Sequence, residues 1–196
     1  MKIVLASSNK HKVKEINEIA ALFGFKDEVP EFVLPPEGFD PVENGKTFEE
    51  NSYIKAYEAW KLTKTWVLAD DSGLCIDSLD GKPGIYSARY AQTPAKRIDR
   101  VLSEMSNKEN RKGHFACAMT LINPEGKVEC AYKGVCEGKI IEKSLGTNGF
   151  GYDPIFVPDG YSQTIAELSE EEKNKISHRS KALTKVLEYI SSSILR

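Results

Sequence analysis

The sequence lacks the features that build zinc knuckles, disulfide frameworks and membrane spans. It contains four cysteines and three histidines but no Cys-x-x-Cys pair, which argues against a zinc site. Its apolar runs fall well short of the roughly 18 residues that a membrane span needs. The N-terminal run Met1–Leu5 turns polar at once, so no signal peptide is expected. We interpret the cysteines as small buried side chains in a reducing cytoplasm.

No single sign of charge dominates the chain either. Lys and Arg number 27 against 29 Asp and Glu, for a net charge of −2. A duplex-binding domain is normally basic, so we expect neither a nucleic-acid partner nor a membrane. The length of 196 residues and the hydrophobic share of 40% fit a single domain spanning residues 1–196.

Strand and helix signals follow one another along the chain without an internal repeat. Apolar runs predict strands at residues 2–6, 66–69, 114–122, 127–136, 139–142 and 155–157. Amphipathic spacing and cap residues predict helices at about residues 11–23, 47–62, 93–105 and 169–194, the last interrupted near Ser177. Residues 27–45 contain four prolines and predict a loop with one short strand. The mixture of long hairpins and helices predicts an α/β fold with a mixed sheet.

The segment Ala69-Asp-Asp-Ser-Gly-Leu74 directly follows the apolar run Trp66–Ala69. A strand that delivers two carboxylates into a Ser-Gly turn makes a compact site for a hard cation. Magnesium prefers carboxylate oxygens together with a substrate phosphate. Asp, Ser and Gly are also the usual turn residues, so a plain turn is an equally good interpretation of this segment alone.

Residues Ser7 to Lys12 join the first predicted strand to the first predicted helix. Backbone N–H groups at a helix N-terminus, with hydroxyls and lysines nearby, form an anion site. The Walker A pattern is absent. On this segment alone, a polar loop with an Asn cap is the better interpretation.

One acidic residue, Glu43, and one basic residue, Lys55, lie near the start of the second predicted helix. Glu43 precedes the helix in a loop, where it is able to face a metal ion. Lys55 shares a helical face with Asn51, four residues earlier, and is placed to neutralise phosphate charge. A solvated helix face has the same pattern.

Aromatic and cationic residues cluster in the last third of the sequence. The loop Phe150-Gly-Tyr-Asp153 combines glycines, which allow close backbone approach, with rings that are able to stack on a base. A loop that fills the core is equally consistent. Lys173, His178 and Arg179 add donors near a helix start, where the helix dipole does not favour Arg. Carboxylates, cations and aromatics together suit phosphoryl transfer on a nucleotide.

Six segments, in order, resemble the inosine triphosphate pyrophosphatase family, the non-canonical purine nucleoside triphosphate pyrophosphatases. The match runs from Ile3 to about Leu187. The segments are Ser7-x-Asn-x-x-Lys12, Gly45-x-Thr-Phe-x-Glu-Asn51 with Lys55-Ala56, Ala69-Asp-Asp-Ser-Gly-Leu74, Gly81-x-Pro-Gly-x-Tyr-Ser-Ala-Arg89, Gly149-Phe-Gly-Tyr-Asp-Pro154 and Lys173-x-x-x-Ser-His-Arg179.

The resemblance implies a fold, a reaction and an assembly. The fold is a long, twisted mixed sheet flanked by helices, with a substrate cleft between two lobes. The reaction is the Mg²⁺-dependent hydrolysis of the triphosphates ITP, dITP and XTP to a monophosphate and pyrophosphate. The assembly is a homodimer.

The resemblance also implies roles for individual residues. Asp71 is the catalytic carboxylate and a magnesium ligand, and Glu43 is the second ligand. Because consecutive strand side chains face opposite ways, we expect Asp70 to orient Lys or Arg groups instead. The implied phosphate and substrate contacts are Ser7, Ser8, Asn9, Lys10, His11, Lys12 and Ser72, joined by Lys55. The implied base-binding set is Phe150, Gly151, Tyr152, Asp153, Lys173, His178 and Arg179.

Two other functions stay open at this point. A Maf-like nucleotide pyrophosphatase resembles this family at the first strand and loop and favours other bases, but it lacks the Ser-His-Arg segment. A non-catalytic purine-nucleotide sensor would need neither Asp71 nor Glu43.

Overall fold

The structure, a computed structural model, describes residues 1–7, 9–24 and 29–195. Within these ranges, no helix is both long and apolar enough to cross a membrane. All four cysteines are present as thiols; Cys117, Cys130 and Cys136 are buried as predicted, whereas Cys75 is partly exposed.

In the part of the chain that the structure describes, five α-helices form where local sequence chemistry predicts them. Thr47 and Thr93 accept backbone N–H bonds at the starts of α2 and α3, and Ser169 does so at α4, which satisfies N–H groups that have no partner inside a helix. The final predicted helix is interrupted at Ser177, as expected. The helices are α1 (Lys10–Leu22), α2 (Phe48–Thr63), α3 (Pro94–Glu104), α4 (Glu170–Ile176) and α5 (His178–Tyr189).

Among the described residues, six strands form one mixed sheet, which confirms the predicted α/β class. In the sheet they follow the order β2-β1-β3-β4-β5-β6. Strand β1 pairs in parallel with both β2 and β3, whereas β5 and β6 are antiparallel. The strands are β1 (Lys2–Leu5), β2 (Glu31–Val33), β3 (Val67–Ile76), β4 (Lys112–Ile122), β5 (Val128–Ile140) and β6 (Phe156–Pro158).

Two strands are longer than the sequence predicts. The predicted Ser-Gly turn after Asp71 is wrong, because Ser72 and Gly73 continue β3 to Ile76. The separate strand predicted at 139–142 is also wrong, because β5 continues to Ile140. In β3 both carboxylates have basic partners, so these residues are accommodated within a strand despite their turn preference.

The chain divides into two compact units. The first comprises Met1–Asp71, Cys117–Gly134 and the segment from Arg179 onward; the second comprises Ser72–Ala116 and Val135–His178. Each unit has its own apolar core. In the first, residues of β1, α1 and α5 pack around Leu68 and Met119. In the second, Leu74, Phe115 and Phe156 pack with Val101 of α3.

Candidate active site

Asp71 lies on β3 with a defined partner for each carboxylate oxygen. Lys55 Nζ lies 2.9 Å from Oδ1, and Asn51 donates to Oδ2 at 3.3 Å. The residue is 7% exposed. Burial raises the pKa of Asp71 above its usual value, and the favourable charge of Lys55 does not cancel this effect.

Lys55 joins Asp71 to Glu43. Its ammonium lies 3.1 Å from Glu43 Oε1, so two carboxylates from different segments converge on one cation. Burial lowers the pKa of Lys55, but the carboxylates of Asp70, Asp71 and Glu43 outweigh burial and raise it overall. The ammonium therefore stays charged at neutral pH, beside the two predicted metal ligands.

Asp70 faces away from Asp71, as strand alternation predicts. Lys12 Nζ of α1 lies 2.9 Å from Asp70 Oδ2, and Arg179 Nη2 of α5 lies 3.3 Å from the same oxygen. Arg179 also pairs with Glu15 at 2.7 Å. Burial would raise the pKa of Asp70, but Lys12 and then Arg179 hold it far below its usual range. Asp70 is thus an anion that orients two cations, which confirms the expectation that it groups with Lys and Arg.

The loop between β1 and α1 brings polar groups to the start of a helix. Asn9 donates its backbone N–H to Ser7 Oγ at 3.2 Å, and one turn later Lys12 reaches Asp70. Ser8 and the side chains of Lys10 and His11 lie outside the described residues. The Ser7 side chain thus closes a short turn just ahead of α1.

In the second unit, Asp153 organises the glycine loop. Its Oδ2 accepts the backbone N–H of Phe150 at 2.9 Å and an ion pair from Lys173 at 2.9 Å. Lys173 Nζ also lies 4.6 Å from the centre of the Phe150 ring. Gly149 has φ +73°, and a Cβ there would collide with Asp153 Oδ2. The loop therefore requires glycine at this position.

The remaining predicted base-binding residues differ in accessibility. Phe150 is 37% exposed, whereas Tyr152 is 4% exposed and donates its hydroxyl to the Ser87 carbonyl at 2.8 Å. Tyr152 thus packs in the core of the second unit. The His178 ring stacks on Phe115 with centroids 4.9 Å apart. Gly151 has φ +65° with open space at its Cβ position, and Ser72 is partly buried on β3.

Sequence reasoning gave no role to two buried residues of the first unit. Asn51 donates to Asp71, and Glu15 binds Arg179. Glu15 follows Lys12 by three residues on α1, a spacing that places both on one helical face. That spacing was the available signal for Glu15. For Asn51 the signal was its position four residues before Lys55.

The donor chemistry fits a magnesium ion bound with help from substrate. Among the described residues, no group of three or more Asp, Glu, His or Cys converges as a metal-binding cluster. Asp71 and Glu43 nevertheless already converge on the cationic Lys55. Magnesium is commonly held by one or two carboxylates, substrate phosphates and waters. Asp71 and Glu43 together supply that number of protein carboxylates.

The profile of the Ham1 family matches residues 3–189, nearly the whole chain. The chain belongs to the Ham1 family. This result confirms the resemblance that the six sequence segments carry.

Relatives of known name are similar over almost their full length. A "dITP/XTP pyrophosphatase" of Bacillus anthracis is 45% identical, with 96% of this chain and 95% of that protein covered. One of Treponema denticola, named in the same way, is 43% identical, with 98% and 100% covered. Among solved structures, a HAM1 protein from Coxiella burnetii has a TM-score of 0.88 at 39% identity, with 98% and 100% covered. The family thus shares both sequence and fold with this chain.

Proposed function

We propose that this chain hydrolyses the non-canonical purine nucleoside triphosphates dITP, XTP and ITP, and thereby removes them from the nucleotide pool. The observation that carries the proposal is the convergence of Asp71 and Glu43 on Lys55, in a chain whose relatives are named for this activity. One water is consumed, the bond between the α- and β-phosphates breaks, and a monophosphate and pyrophosphate leave.

The residues of the first unit are proposed to serve the phosphates. Asp71 is proposed to accept the proton of the attacking water, as the carboxylate that lies beside both Lys55 and Asn51. Glu43 and Asp71 would hold Mg²⁺, which when bound supplies charge neutralisation to the phosphate oxygens. Lys55 and Lys12 add positive charge there, and the Ser7 to Lys12 loop with Ser72 is proposed to contact the phosphates and sugar.

The base is proposed to be bound by residues that offer a ring and hydrogen-bond donors. Phe150 is partly exposed and supports stacking on the purine. Lys173, His178 and Arg179 are proposed donors toward the 6-oxo group, which hypoxanthine and xanthine present and adenine lacks. Gly151, Tyr152 and Asp153 shape the loop, since Asp153 fixes both Phe150 and Lys173.

Several broader features rest on the same proposal. We propose that both units act together as one pyrophosphatase domain, residues 1–196, and that the chain works as a cytoplasmic homodimer.

The product pattern tests the proposed function. Purified chain is incubated with dITP, XTP, ITP, dATP or dGTP, without added inorganic pyrophosphatase, and the products are separated by anion-exchange chromatography. We expect equal amounts of monophosphate and pyrophosphate from the first three substrates, loss of activity with EDTA, and recovery with Mg²⁺.

Three outcomes would contradict the proposal. Early accumulation of nucleoside diphosphate would indicate stepwise phosphate removal. A preference for other bases would favour a Maf-like enzyme. Tight dITP binding without turnover in Mg²⁺ would favour a nucleotide sensor.

A further inference from the structure

Asn51 uses both ends of its side-chain amide inside the candidate active site. It lies on α2 and is completely buried. Its Oδ1 accepts the backbone N–H of Gly45 at 2.9 Å, and its Nδ2 donates to Asp71 Oδ2 at 3.3 Å. One side chain therefore ties the loop that carries Glu43 to the strand that carries Asp71.

We propose that Asn51 is a positioning residue that fixes the separation of the two metal-binding carboxylates, Glu43 and Asp71. This assignment rests on the proposed function, because it concerns the ion that serves that reaction. Asn51 itself need not touch substrate or metal. Its effect is to hold Asp71 and the loop around Gly45 at a set spacing before the ion binds.

Two side chains of α2, those of Lys55 and Asn51, link the loop around Glu43 to Asp71 on β3. Lys55 connects Asp71 to Glu43 through ion pairs of 2.9 and 3.1 Å. Asn51 connects Asp71 to Gly45, two residues beyond Glu43. Lys55 carries a positive charge and would compete with a cation for the same carboxylates. Asn51 is neutral, so its bonds add no charge that opposes an incoming cation.

The close approach of Gly45 supports this role. A Cβ at Gly45 would lie 2.7 Å from Asn51 Oδ1 and 2.8 Å from Glu50 Cβ. Real Cβ atoms do not approach other atoms this closely, so a side chain would push the loop away from Asn51. The glycine thus permits the hydrogen bond that connects the loop to the amide.

The direction of the amide is also fixed. Oδ1 must face the Gly45 N–H, since only the oxygen is able to accept. Nδ2 must then face Asp71, whose ionised carboxylate only accepts. Aspartate at position 51 would keep the first bond but set a second carboxylate against Asp71, so it does not replace the amide.

The test measures metal binding directly. Mn²⁺ alone is titrated into the full chain and free Mn²⁺ is followed by electron paramagnetic resonance; in parallel, dITP hydrolysis is measured against Mg²⁺ concentration. For Asn51→Ala we expect Mn²⁺ affinity to fall by about 10–100-fold, as is typical when an outer-shell partner of a metal ligand is lost. Half-maximal activity should need correspondingly more Mg²⁺, while kcat at saturating Mg²⁺ falls less.

Asn123 provides a matched control on the turn between β4 and β5. Its Oδ1 accepts the Lys127 N–H at 2.9 Å, and its Nδ2 donates to Glu129 at 2.6 Å, so its bonding pattern is the same. Asn123→Ala should lower thermal stability but leave Mn²⁺ affinity and the Mg²⁺ requirement unchanged. Equal losses of Mn²⁺ affinity in both variants would overturn the assignment, because they would reflect general destabilisation.

Gly45→Ala keeps the inference testable if Asn51→Ala fails to fold. It disturbs the hydrogen bond between the Gly45 N–H and Asn51 Oδ1 from the loop side. Mn²⁺ affinity should therefore fall, as it does for Asn51→Ala. Parent-like Mn²⁺ affinity in a folded Gly45→Ala or Asn51→Ala variant would refute the role of Asn51. Pyrophosphate release by the parent chain tests the proposed function separately, because that result does not depend on either variant.

Discussion

Replacing Arg179 by Met should destabilise the chain strongly. The guanidinium is 1% exposed and pairs with Glu15 at 2.7 Å and with Asp70 at 3.3 Å. The side chain of Asp70 is fully buried and that of Glu15 is 10% exposed. Met has a similar length but no charge, so Arg179→Met leaves Glu15 without this cation and leaves Asp70 with Lys12.

The size of the effect follows from the burial of these anions. Removing one partner of a buried ion pair typically costs about 3–5 kcal/mol, because the remaining charge is left uncompensated. In a chain of this length each kcal/mol lowers the melting temperature by roughly 2–4 °C. We therefore expect the melting temperature of Arg179→Met to fall by roughly 6–20 °C.

A surface pair on α1 provides the control. Lys14 and Glu18 pair at 3.4 Å and are both solvent-exposed, so Lys14→Met should change stability by less than about 1 kcal/mol. Thermal unfolding of both variants, followed by circular dichroism at neutral pH, measures the two melting temperatures. An Arg179→Met variant no less stable than Lys14→Met would refute the argument that the buried network depends on Arg179.

The same variant tests whether Arg179 also recognises the base. The bonds to Glu15 and Asp70 use two of the five guanidinium N–H groups. At a temperature where the variant is folded, we expect the ratio of kcat/KM for dITP to kcat/KM for dATP to decrease. The decrease should come chiefly from loss of dITP activity. An unchanged ratio with both rates reduced equally would assign Arg179 to the Asp70 network alone.

Two further predictions concern the adjacent aspartates Asp70 and Asp71. Asp71→Asn should lower turnover of dITP by at least about a hundredfold with unchanged circular dichroism, because a neutral amide neither accepts the proton nor balances the charge of the cation; turnover near that of the parent would contradict this role. Because the pKa of Asp70 is lowered on folding, its stabilising effect is full above its unfolded pKa and is lost as the pH falls below about 4. Urea midpoints measured from pH 7 to pH 3 should therefore decline in acid, and Asp70→Asn should flatten that decline; an equally steep decline in the variant would assign the acid sensitivity to other carboxylates.

Local chemistry explains which parts of the fold were predictable from sequence. Thr47, Thr93 and Ser169 start helices because a hydroxyl beside the first turn satisfies local N–H groups. The failed turn at Ser72 and Gly73 had equally clear local signals. There the strand continues because β3 is hydrogen-bonded to β4, whose residues are distant in sequence, and a local pattern does not reveal that pairing.

The candidate site was predictable to a similar extent. Asp71, Glu43 and Lys55 were identified by motif, and they lie together in the structure. Asn51 and Glu15 were missed because their partners lie 20 and 164 positions away. Such contacts exist only after the strands and helices have packed, and residue spacing along one element does not report them.

The two adjacent aspartates of β3 show how one strand creates two chemical environments. Both are buried, and burial alone would raise the pKa of each. On one face Lys12 and Arg179 overcome that effect, so the pKa of Asp70 is lowered and its carboxylate is ionised at neutral pH. On the other face burial outweighs Lys55, and the pKa of Asp71 stays raised. Strand alternation thus gives two carboxylates that are neighbours in sequence different partners: Lys12 and Arg179 for Asp70, and Lys55 and Asn51 for Asp71.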